Sequence, residues 1–239
     1  MPTVSDLTTR IGEQIAAVRE RVADAANAAG RDPVDVELLL ATKTLPGDVV
    51  RAAVLAGGTL IGENRVQELL AHGPAVADLH PRVHLIGHLQ SNKVAALLER
   101  GRVSCVQSVD SREIAARLSR RCEALGRDLD VMVQVNVSGE PTKSGVTPEE
   151  APAIAADVAA LPRLRLVGFM TVGLNCADRA AVRAGYARLR QVRDTVVGDL
   201  PDARHLSMGM SGDLELAIAE GATIVRVGTA VFGARPPVR

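Results

Sequence analysis

A lysine directly follows the first strongly apolar run of the chain. Lys43 stands in Leu-Leu-Leu-Ala-Thr-Lys-Thr, just after the predicted strand Val36–Thr42. Partial burial at a strand end disfavours an ammonium ion and lowers its pKa, so the neutral amine can attack an aldehyde and form a Schiff base. Taken alone, the position favours a simpler alternative, a loop lysine that only ends a strand.

An arginine in the last apolar run is a second candidate. In Ile-Val-Arg226-Val-Gly228-Thr229, the alternation of a strand places Arg226 and Gly228 on one face. A buried guanidinium needs acceptors, which a pyridine nitrogen, a ligand carboxylate or a neighbouring acid such as Glu63 or Glu215 would provide. Gly228 leaves room for a phosphate near the backbone, and Thr229 adds a hydroxyl.

A loop rich in Gly and Ser precedes a predicted helix near the C-terminus. In His205–Asp213, the hydroxyls of Ser207 and Ser211 and the backbone near Gly209 are candidate phosphate ligands. Free N–H groups at a helix start attract anions. A plain turn capped by Ser or Asp explains the same pattern.

The histidines and cysteines do not predict a metal centre. His84 and His88 are four residues apart, but a strand-to-loop transition does not bring them together as a helical pair would. Cys105, Cys122 and Cys176 are odd in number and widely spaced, which is typical of reduced thiols in the cytoplasm. We therefore expect no bound metal and a cytoplasmic protein.

Alternating strands and helices position these residues. The eight predicted strands are Val36–Thr42, Thr59–Gly62, Arg82–Gly87, Val103–Val109, Asp130–Val137, Leu164–Met170, His205–Met208 and Ile224–Gly228. The helical patterns between them are Gly47–Ala56, Val66–Ala71, Lys93–Glu99, Ser111–Leu125, Pro148–Ala160, Arg179–Val197 and Asp213–Ala219. This alternation predicts a parallel sheet. With no sequence left for a second domain, it predicts one (β/α)8 TIM barrel over residues 1–239; the alternative is an open doubly wound sheet.

An amphipathic helix from about Ser5 to Ala29 precedes the barrel, with an apolar stripe that includes Leu7, Ile11 and Ile15. In a barrel, functional groups gather at the carboxyl ends of the strands. Polar residues lie at the end of, or just after, all eight predicted strands there: Lys43, Asn64, His88, Ser108, Asn136, Thr171, Ser207 and Thr229.

Composition excludes several classes of partner. The chain has 28 basic and 28 acidic side chains, so no net charge attracts it to nucleic acid or an anionic membrane. Its N-terminus lacks the basic stretch and apolar run of a signal peptide, and no apolar run is long enough to cross a bilayer. We expect a monomer.

Together these segments resemble the YggS/PROSC family of pyridoxal-phosphate-binding homeostasis proteins. The landmarks run through nearly the whole chain, and their shared order and spacing carry the resemblance. They are Ala-Thr-Lys43-Thr, Gly62-Glu-Asn64, His84-Leu-Ile-Gly-His-Leu-Gln-Ser-Asn-Lys93, Lys143-Ser-Gly145, Leu206-Ser-Met-Gly-Met-Ser211 and Arg226-Val-Gly-Thr-Ala-Val-Phe-Gly233.

The resemblance implies a barrel like the N-terminal domain of alanine racemase, with pyridoxal phosphate (PLP) held as a Schiff base on Lys43. It assigns cofactor-binding positions to Lys43, Asn64, Met170, Ser207, Met208, Arg226, Gly228 and Thr229. Among these, Ser207, Gly228 and Thr229 match the phosphate positions, and Arg226 matches the arginine beside the pyridine nitrogen.

The chain departs from the family pattern near the expected site. Thr42 replaces the more usual Ser, and His88 replaces a common Pro. Val83 and Leu85 stand where Trp and Phe are frequent. These differences call aromatic packing beside the cofactor into question but leave the Schiff base itself unaffected.

Arg226 decides which chemistry is expected. Arginine keeps its proton, so the pyridine nitrogen beside it stays unprotonated and is a poor electron sink, which disfavours transamination. Racemisation needs a second acid or base opposite the lysine. The only tyrosine, Tyr186, lies within a predicted helix and is expected to be away from the strand ends.

We therefore expect a carrier that buffers PLP for vitamin B6 homeostasis and passes it to apo forms of PLP-dependent enzymes, with little or no turnover. The first alternative is a PLP-dependent amino-acid racemase or decarboxylase of the same fold. The second is an interaction protein with a vestigial phosphate site. The fold does not choose among them.

Overall fold

The computed structural model describes residues 4–140 and 142–233. Residues 1–3, 141 and 234–239 lie outside the described residues. The predicted single domain over residues 1–239 includes all of them, and the sequence interpretation of the N-terminus rests partly on residues 1–3. The strands are β1 Glu37–Ala41, β2 Leu60–Glu63, β3 Arg82–Leu85, β4 Cys105–Val109, β5 Leu129–Gln134, β6 Leu164–Met170, β7 His205–Met210 and β8 Ile224–Val227.

Helices follow the strands in the predicted order. They are α1 Val4–Ala28, α2 Gly47–Leu55, α3 Val66–Val76, α4 Val94–Arg100, α5 Arg112–Leu125, α6 Ala151–Ala159, α7 Arg179–Val196, α8 Leu214–Ala219 and α9 Thr229–Phe232. Two short 3₁₀ turns, Pro33–Asp35 and Ser91–Lys93, complete the regular structure. No helix among the described residues is both long and apolar enough to span a membrane.

The eight strands close into a parallel barrel in sequence order. Closure comes from β1 and β8, where Glu37 is in register with Ile224 and Leu40 with Val227. The predicted (β/α)8 TIM barrel with an added N-terminal helix is therefore confirmed, and the open sheet is excluded. The carboxyl ends of all eight strands meet at one end of the barrel.

The end of α3 differs from the prediction. The helix continues past Ala71 to Val76, although Gly73 and Pro74 lie within it. Proline removes one backbone hydrogen bond and normally ends a helix. Here, His72 and Val76 are buried on the barrel side, and this packing outweighs the local preference.

The apolar core has two parts. The larger one fills the space between the outer face of the sheet and the helices. A small cluster fills part of the barrel interior and consists of Leu39, Leu60, Cys105, Met132, Met170 and Ile224. The remaining interior contains buried polar side chains, including His84, Gln107, Ser207 and Arg226. A barrel interior that is partly polar requires an internal hydrogen-bond network.

Helix α1 buries the predicted apolar stripe against the barrel. Ile11 and Ile15 are almost fully buried, and Arg21 forms an ion pair with Glu215 at 2.7 Å. Glu215 is therefore engaged with α1 and is not the partner of Arg226.

We predict that Ile15→Ala lowers the free energy of unfolding by about 3 kcal/mol, because it removes buried methylene groups and leaves a cavity under α1. The exposed neighbour Gln14 provides the control, and Gln14→Ala should leave stability nearly unchanged. Urea unfolding measures both. Equal stabilities of the two variants would show that α1 is not integral to the folded barrel.

Candidate functional site

A cavity of about 500 Å³ opens at the carboxyl ends of the strands. Residues after seven of the eight strands contribute to it, as expected for the functional end of a barrel. Its lining residues are Ala41, Lys43, Asn64, Ile86, Gly87, His88, Gln134, Lys143, Ser144, Val172, Met210, Ser211, Gly212, Arg226, Gly228 and Thr229.

The segment that carries Lys43 is fixed on both sides of the lysine. On one side, the buried Thr42 hydroxyl donates to Glu63 Oε1 at 2.6 Å. On the other, His72 Nε2 lies 2.8 Å from the carbonyl oxygen of Leu45. The contacts come from the end of β2 and from α3, so two neighbouring elements hold Lys43 at the cavity.

Glu63 and His72 form a buried ion pair beneath this segment. His72 Nδ1 lies 2.8 Å from Glu63 Oε1, and Glu63 is fully buried. A carbonyl oxygen and a carboxylate only accept hydrogen bonds, so both imidazole nitrogens donate and His72 is protonated. The hydrogen bond to Glu63 raises the pKa of His72 above its ordinary value, against the opposing effect of burial. Glu63 is thus not available to Arg226, and the possible pairing of Arg226 with Glu63 is wrong.

Arg226 heads a chain of hydrogen bonds through the barrel interior. Its Nη1 donates to Ser207 Oγ at 2.8 Å, and its Nη2 donates to the Thr171 carbonyl at 2.6 Å. Ser207 in turn donates to Gln107 Oε1 at 2.6 Å. The Gln107 amide reaches His84 Nδ1 at 2.8 Å, so His84 accepts there. Burial lowers the pKa of His84 to about 3, which keeps it neutral at the end of the chain.

Arg226 is a cation without a carboxylate partner among residues 4–140 and 142–233. Burial lowers its pKa to about 10, so the guanidinium stays protonated at neutral pH. The acceptors that it does have, a hydroxyl and a carbonyl, are neutral. Because Arg226 also lines the cavity, the site favours a ligand that brings a hydrogen-bond acceptor or a negative charge.

Five of the eight predicted cofactor-binding residues line the cavity, namely Lys43, Asn64, Arg226, Gly228 and Thr229. Ser207, Met170 and Met208 are fully buried and do not line it. Ser207 is engaged with Arg226 and Gln107. Met170 belongs to the cluster inside the barrel and Met208 to the outer core. Their contact with a cofactor stays a prediction.

Two adjacent loops supply the polar end of the cavity. Ser211 and Gly212 follow β7, and Gly228 and Thr229 follow β8. Ser211 Oγ accepts a hydrogen bond from the backbone N–H of Ala230 at 3.2 Å, which joins the two loops. Hydroxyls and backbone N–H groups without side chains in the way are suited to a phosphate. Of the two serines that the sequence pattern indicates as phosphate ligands, Ser211 lines the cavity and Ser207 does not.

Several residues that line the cavity were not predicted to belong to the cofactor site. Gln134 donates to the Ser144 carbonyl at 2.9 Å, and Lys143 forms an ion pair with Glu140 at 2.7 Å. The loop after β5 therefore closes one side of the cavity. The Lys143-Ser-Gly145 landmark was the available signal, but a motif alone does not show that a loop folds over a distant strand end.

Tyr186 reaches the strand ends, contrary to the prediction, but it does not line the cavity. Its hydroxyl donates to Asp213 Oδ2 at 2.9 Å, and the side chain is fully buried. A Cβ atom at Gly173, just after β6, would lie 2.6 Å from this hydroxyl. Burial raises the pKa of Tyr186. The phenol is therefore a protonated structural donor behind the site.

Residues 14–236 match the protein family described as "Alanine racemase, N-terminal domain". A pyridoxal phosphate homeostasis protein of Pseudomonas aeruginosa is 50% identical over 226 residues, which cover 94% of this chain and 96% of that protein. The chain belongs to the alanine racemase N-terminal-domain family and, within it, to the pyridoxal phosphate homeostasis proteins. The predicted family resemblance is confirmed.

Two solved structures are similar over nearly their whole length. An unknown protein from Bifidobacterium adolescentis has a TM-score of 0.89 and 41% identity, covering 95% of this chain and 96% of that chain. PipY from Synechococcus elongatus, determined with PLP bound, has a TM-score of 0.80 and 34% identity, covering 93% and 100%.

We predict that His72→Gln lowers stability by about 3 kcal/mol, because it leaves the buried Glu63 carboxylate without its ion-pair partner. The pKa of His72 is raised in the folded protein, so the pair stabilises fully below the unfolded pKa of about 6.5 and less as pH rises through the folded value. The difference between wild type and variant should be larger near pH 6 than near pH 9.

Urea unfolding at the two pH values measures this difference, with His80→Gln as a control at an exposed histidine. A difference that stays constant with pH would contradict a charged His72.

Proposed function

We propose that this chain binds PLP in the cavity at the carboxyl ends of its strands, with Lys43 forming the Schiff base. We further propose that it carries and buffers the cofactor. One observation carries the proposal: a single cavity is lined by Lys43, by two joined hydroxyl-bearing loops and by Arg226, a cation without a carboxylate partner among the described residues. Membership in the PLP homeostasis proteins, and the PLP bound to PipY, support the same ligand.

The donor chemistry fits each part of PLP. The aldehyde requires a primary amine, which Lys43 provides. The ring nitrogen requires a donor that keeps its proton, which Arg226 provides. The phosphate requires hydroxyls and backbone N–H groups, which the loops at Ser211 and Thr229 provide. When bound, the group would supply an electrophilic aldehyde and an aromatic ring conjugated to it.

The residues of the chain favour holding the cofactor over using it. Arg226 remains protonated because its pKa is about 10, so it would hold the ring nitrogen as a hydrogen-bond donor and would not protonate it. A ring nitrogen without a proton is a poor sink for electrons. Tyr186 is committed to Asp213 and does not face the cavity. These features support a carrier with little or no turnover.

One observation favours the alternative, an amino-acid racemase or decarboxylase. His88 lines the same cavity as Lys43, so the site holds a second group able to move a proton. The carrier and the enzyme differ in whether a bound amino acid exchanges its α-proton with solvent.

The protein's setting is also proposed. We infer that the protein acts as a monomer in the cytoplasm and that apo forms of PLP-dependent enzymes receive the cofactor. Free thiols support a reducing compartment, since Cys105 and Cys122 are buried and form no disulfide. The balanced charge of the chain supports a partner recognised through the cofactor and not through a charged surface.

Borohydride reduction of the PLP-loaded protein, followed by peptide mapping, should place the label on Lys43. Reduction converts the imine to a stable amine on the lysine that carried it. Lys43→Ala should remove both the label and the absorbance band of the imine. Lys143→Ala is the matched control, because Lys143 is the other lysine lining the cavity, and it should keep both. A label on Lys143 in the wild type would overturn the assignment.

The loaded protein, incubated with L- or D-alanine in D₂O, should exchange the α-proton far more slowly than about once per second, the low end of enzyme turnover. Proton NMR measures the exchange. The expected result follows from the unprotonated ring nitrogen beside Arg226. Exchange at several turnovers per second would establish the racemase or decarboxylase alternative.

A further inference from the structure

We propose that His88, oriented by Asp110, carries the proton when the Schiff base on Lys43 forms and when an incoming amine exchanges it. This inference rests on the proposed function, because it assigns a role at the same cavity. His88 would set how fast the cofactor is loaded and released, while leaving its affinity unchanged.

The backbone at His88 is fixed from both sides. A Cβ atom at Gly87 would lie 2.2 Å from the carbonyl oxygen of Asn64, so the loop after β3 packs directly on the end of β2. On the other side, Ser108 Oγ donates to the Gly87 carbonyl at 2.7 Å. Leu89, which follows, is 1% exposed. These contacts place the backbone of His88 at the cavity wall.

Asp110 sets the orientation of the imidazole. Its Oδ2 lies 3.0 Å from His88 Nδ1, and its side chain is 14% exposed. A carboxylate only accepts, so the proton sits on Nδ1 and the Nε2 lone pair is the basic site. Among the described residues, Asp110 is the hydrogen-bond partner of His88, and it contacts Nδ1 and not Nε2. The His88 side chain is 55% exposed, so it can exchange protons with water.

Apart from Lys43, the other titratable side chains among the described lining residues are engaged elsewhere. Lys43 is the reacting nitrogen itself. Arg226 donates to Ser207 and Thr171 and keeps its proton. Lys143 is paired with Glu140. Within the described lining residues, His88 is therefore the remaining side chain that has one nitrogen to donate a proton and another to accept one.

The reaction requires such a group. The neutral Lys43 amine forms a double bond to the aldehyde carbon, and its two protons must reach the aldehyde oxygen, which leaves as water. Release to a free primary amine transfers the same carbon to the new nitrogen, and Lys43 regains two protons. No electron is gained or lost in either direction. Nε2 of His88 would accept each proton from nitrogen and deliver it to the leaving atom.

A proton carrier accelerates the forward and reverse steps equally, and this separates the proposal from a structural role. His88→Ala should slow both PLP loading and release to hydroxylamine by about 100-fold, the low end for a positioned acid–base group. Its dissociation constant for PLP should stay within about twofold of wild type. Free imidazole should restore the rate of His88→Ala in proportion to its concentration and leave the wild-type rate unchanged.

Stopped-flow absorbance of apo protein mixed with PLP measures loading, and loss of the band in excess hydroxylamine measures release. His88→Asn keeps a donor for Asp110 but lacks Nε2, so it should be as slow as His88→Ala. His80→Ala is the control at an exposed histidine away from this cavity. In the protein without PLP, ¹⁵N NMR should show His88 protonated at Nδ1 in its neutral form.

The proposal is overturned if His88→Ala and His88→Asn load and release at wild-type rates, or if affinity falls by the same factor as the loading rate. Failure of imidazole rescue would likewise contradict it. Failure of the proposed function looks different, because Lys43→Ala would then keep the imine absorbance of the wild type.

Discussion

A guanidinium inside a barrel of aliphatic strands is the constraint around which this site is built. A buried charge is tolerated only when its hydrogen bonds are satisfied. Arg226 on β8 is satisfied by Ser207 and Thr171, and the chain of donors continues through Gln107 to a neutral His84. Strands β3, β4 and β7 therefore present polar residues inward. Since no carboxylate forms an ion pair with Arg226 among the described residues, the guanidinium can interact with a ligand in the cavity that it lines.

The lysine lies between this cation and a second buried charge. Strand β1 pairs with β2 on one side and β8 on the other, so Lys43 follows a strand flanked by Glu63 and Arg226. The Glu63–His72 pair fixes the lysine segment. In the proposed complex, Arg226 would limit the chemistry of a pyridine ring bound in the cavity. A firmly positioned Lys43 amine, next to a pyridine ring that would be a poor electron sink, suits a protein that binds a reactive aldehyde and later releases it.

Much of the fold followed from patterns within the sequence. Apolar residues repeat with a shorter period along a strand than along a helix. The eight strands and the helices between them could therefore be predicted from local sequence patterns. A closed barrel was favoured over an open doubly wound sheet because it is an economical arrangement of eight parallel strands that alternate with helices, and the structure has that closed barrel. The same reasoning placed Lys43, Asn64 and Thr229 at the mouth of the barrel, since strand order fixes which loops share an end.

The sequence by itself determined the barrel and which end carries the chemistry, but only the tertiary structure decided which side chains reach the cavity. The alternation of side chains along a strand predicts which face of the sheet a residue lies on. It does not predict how far along the barrel axis the residue lies. Ser207 is in register with Ile224, two residues before Arg226, and so lies below the cavity, while Ser211 lines it. The stagger between β7 and β8 sets that depth. Likewise, α3 continues past its predicted end at Ala71 and includes His72, whose ring contacts the Leu45 carbonyl after Lys43. Burial of His72 and Val76 outweighed the local helix-breaking signal of Gly73 and Pro74.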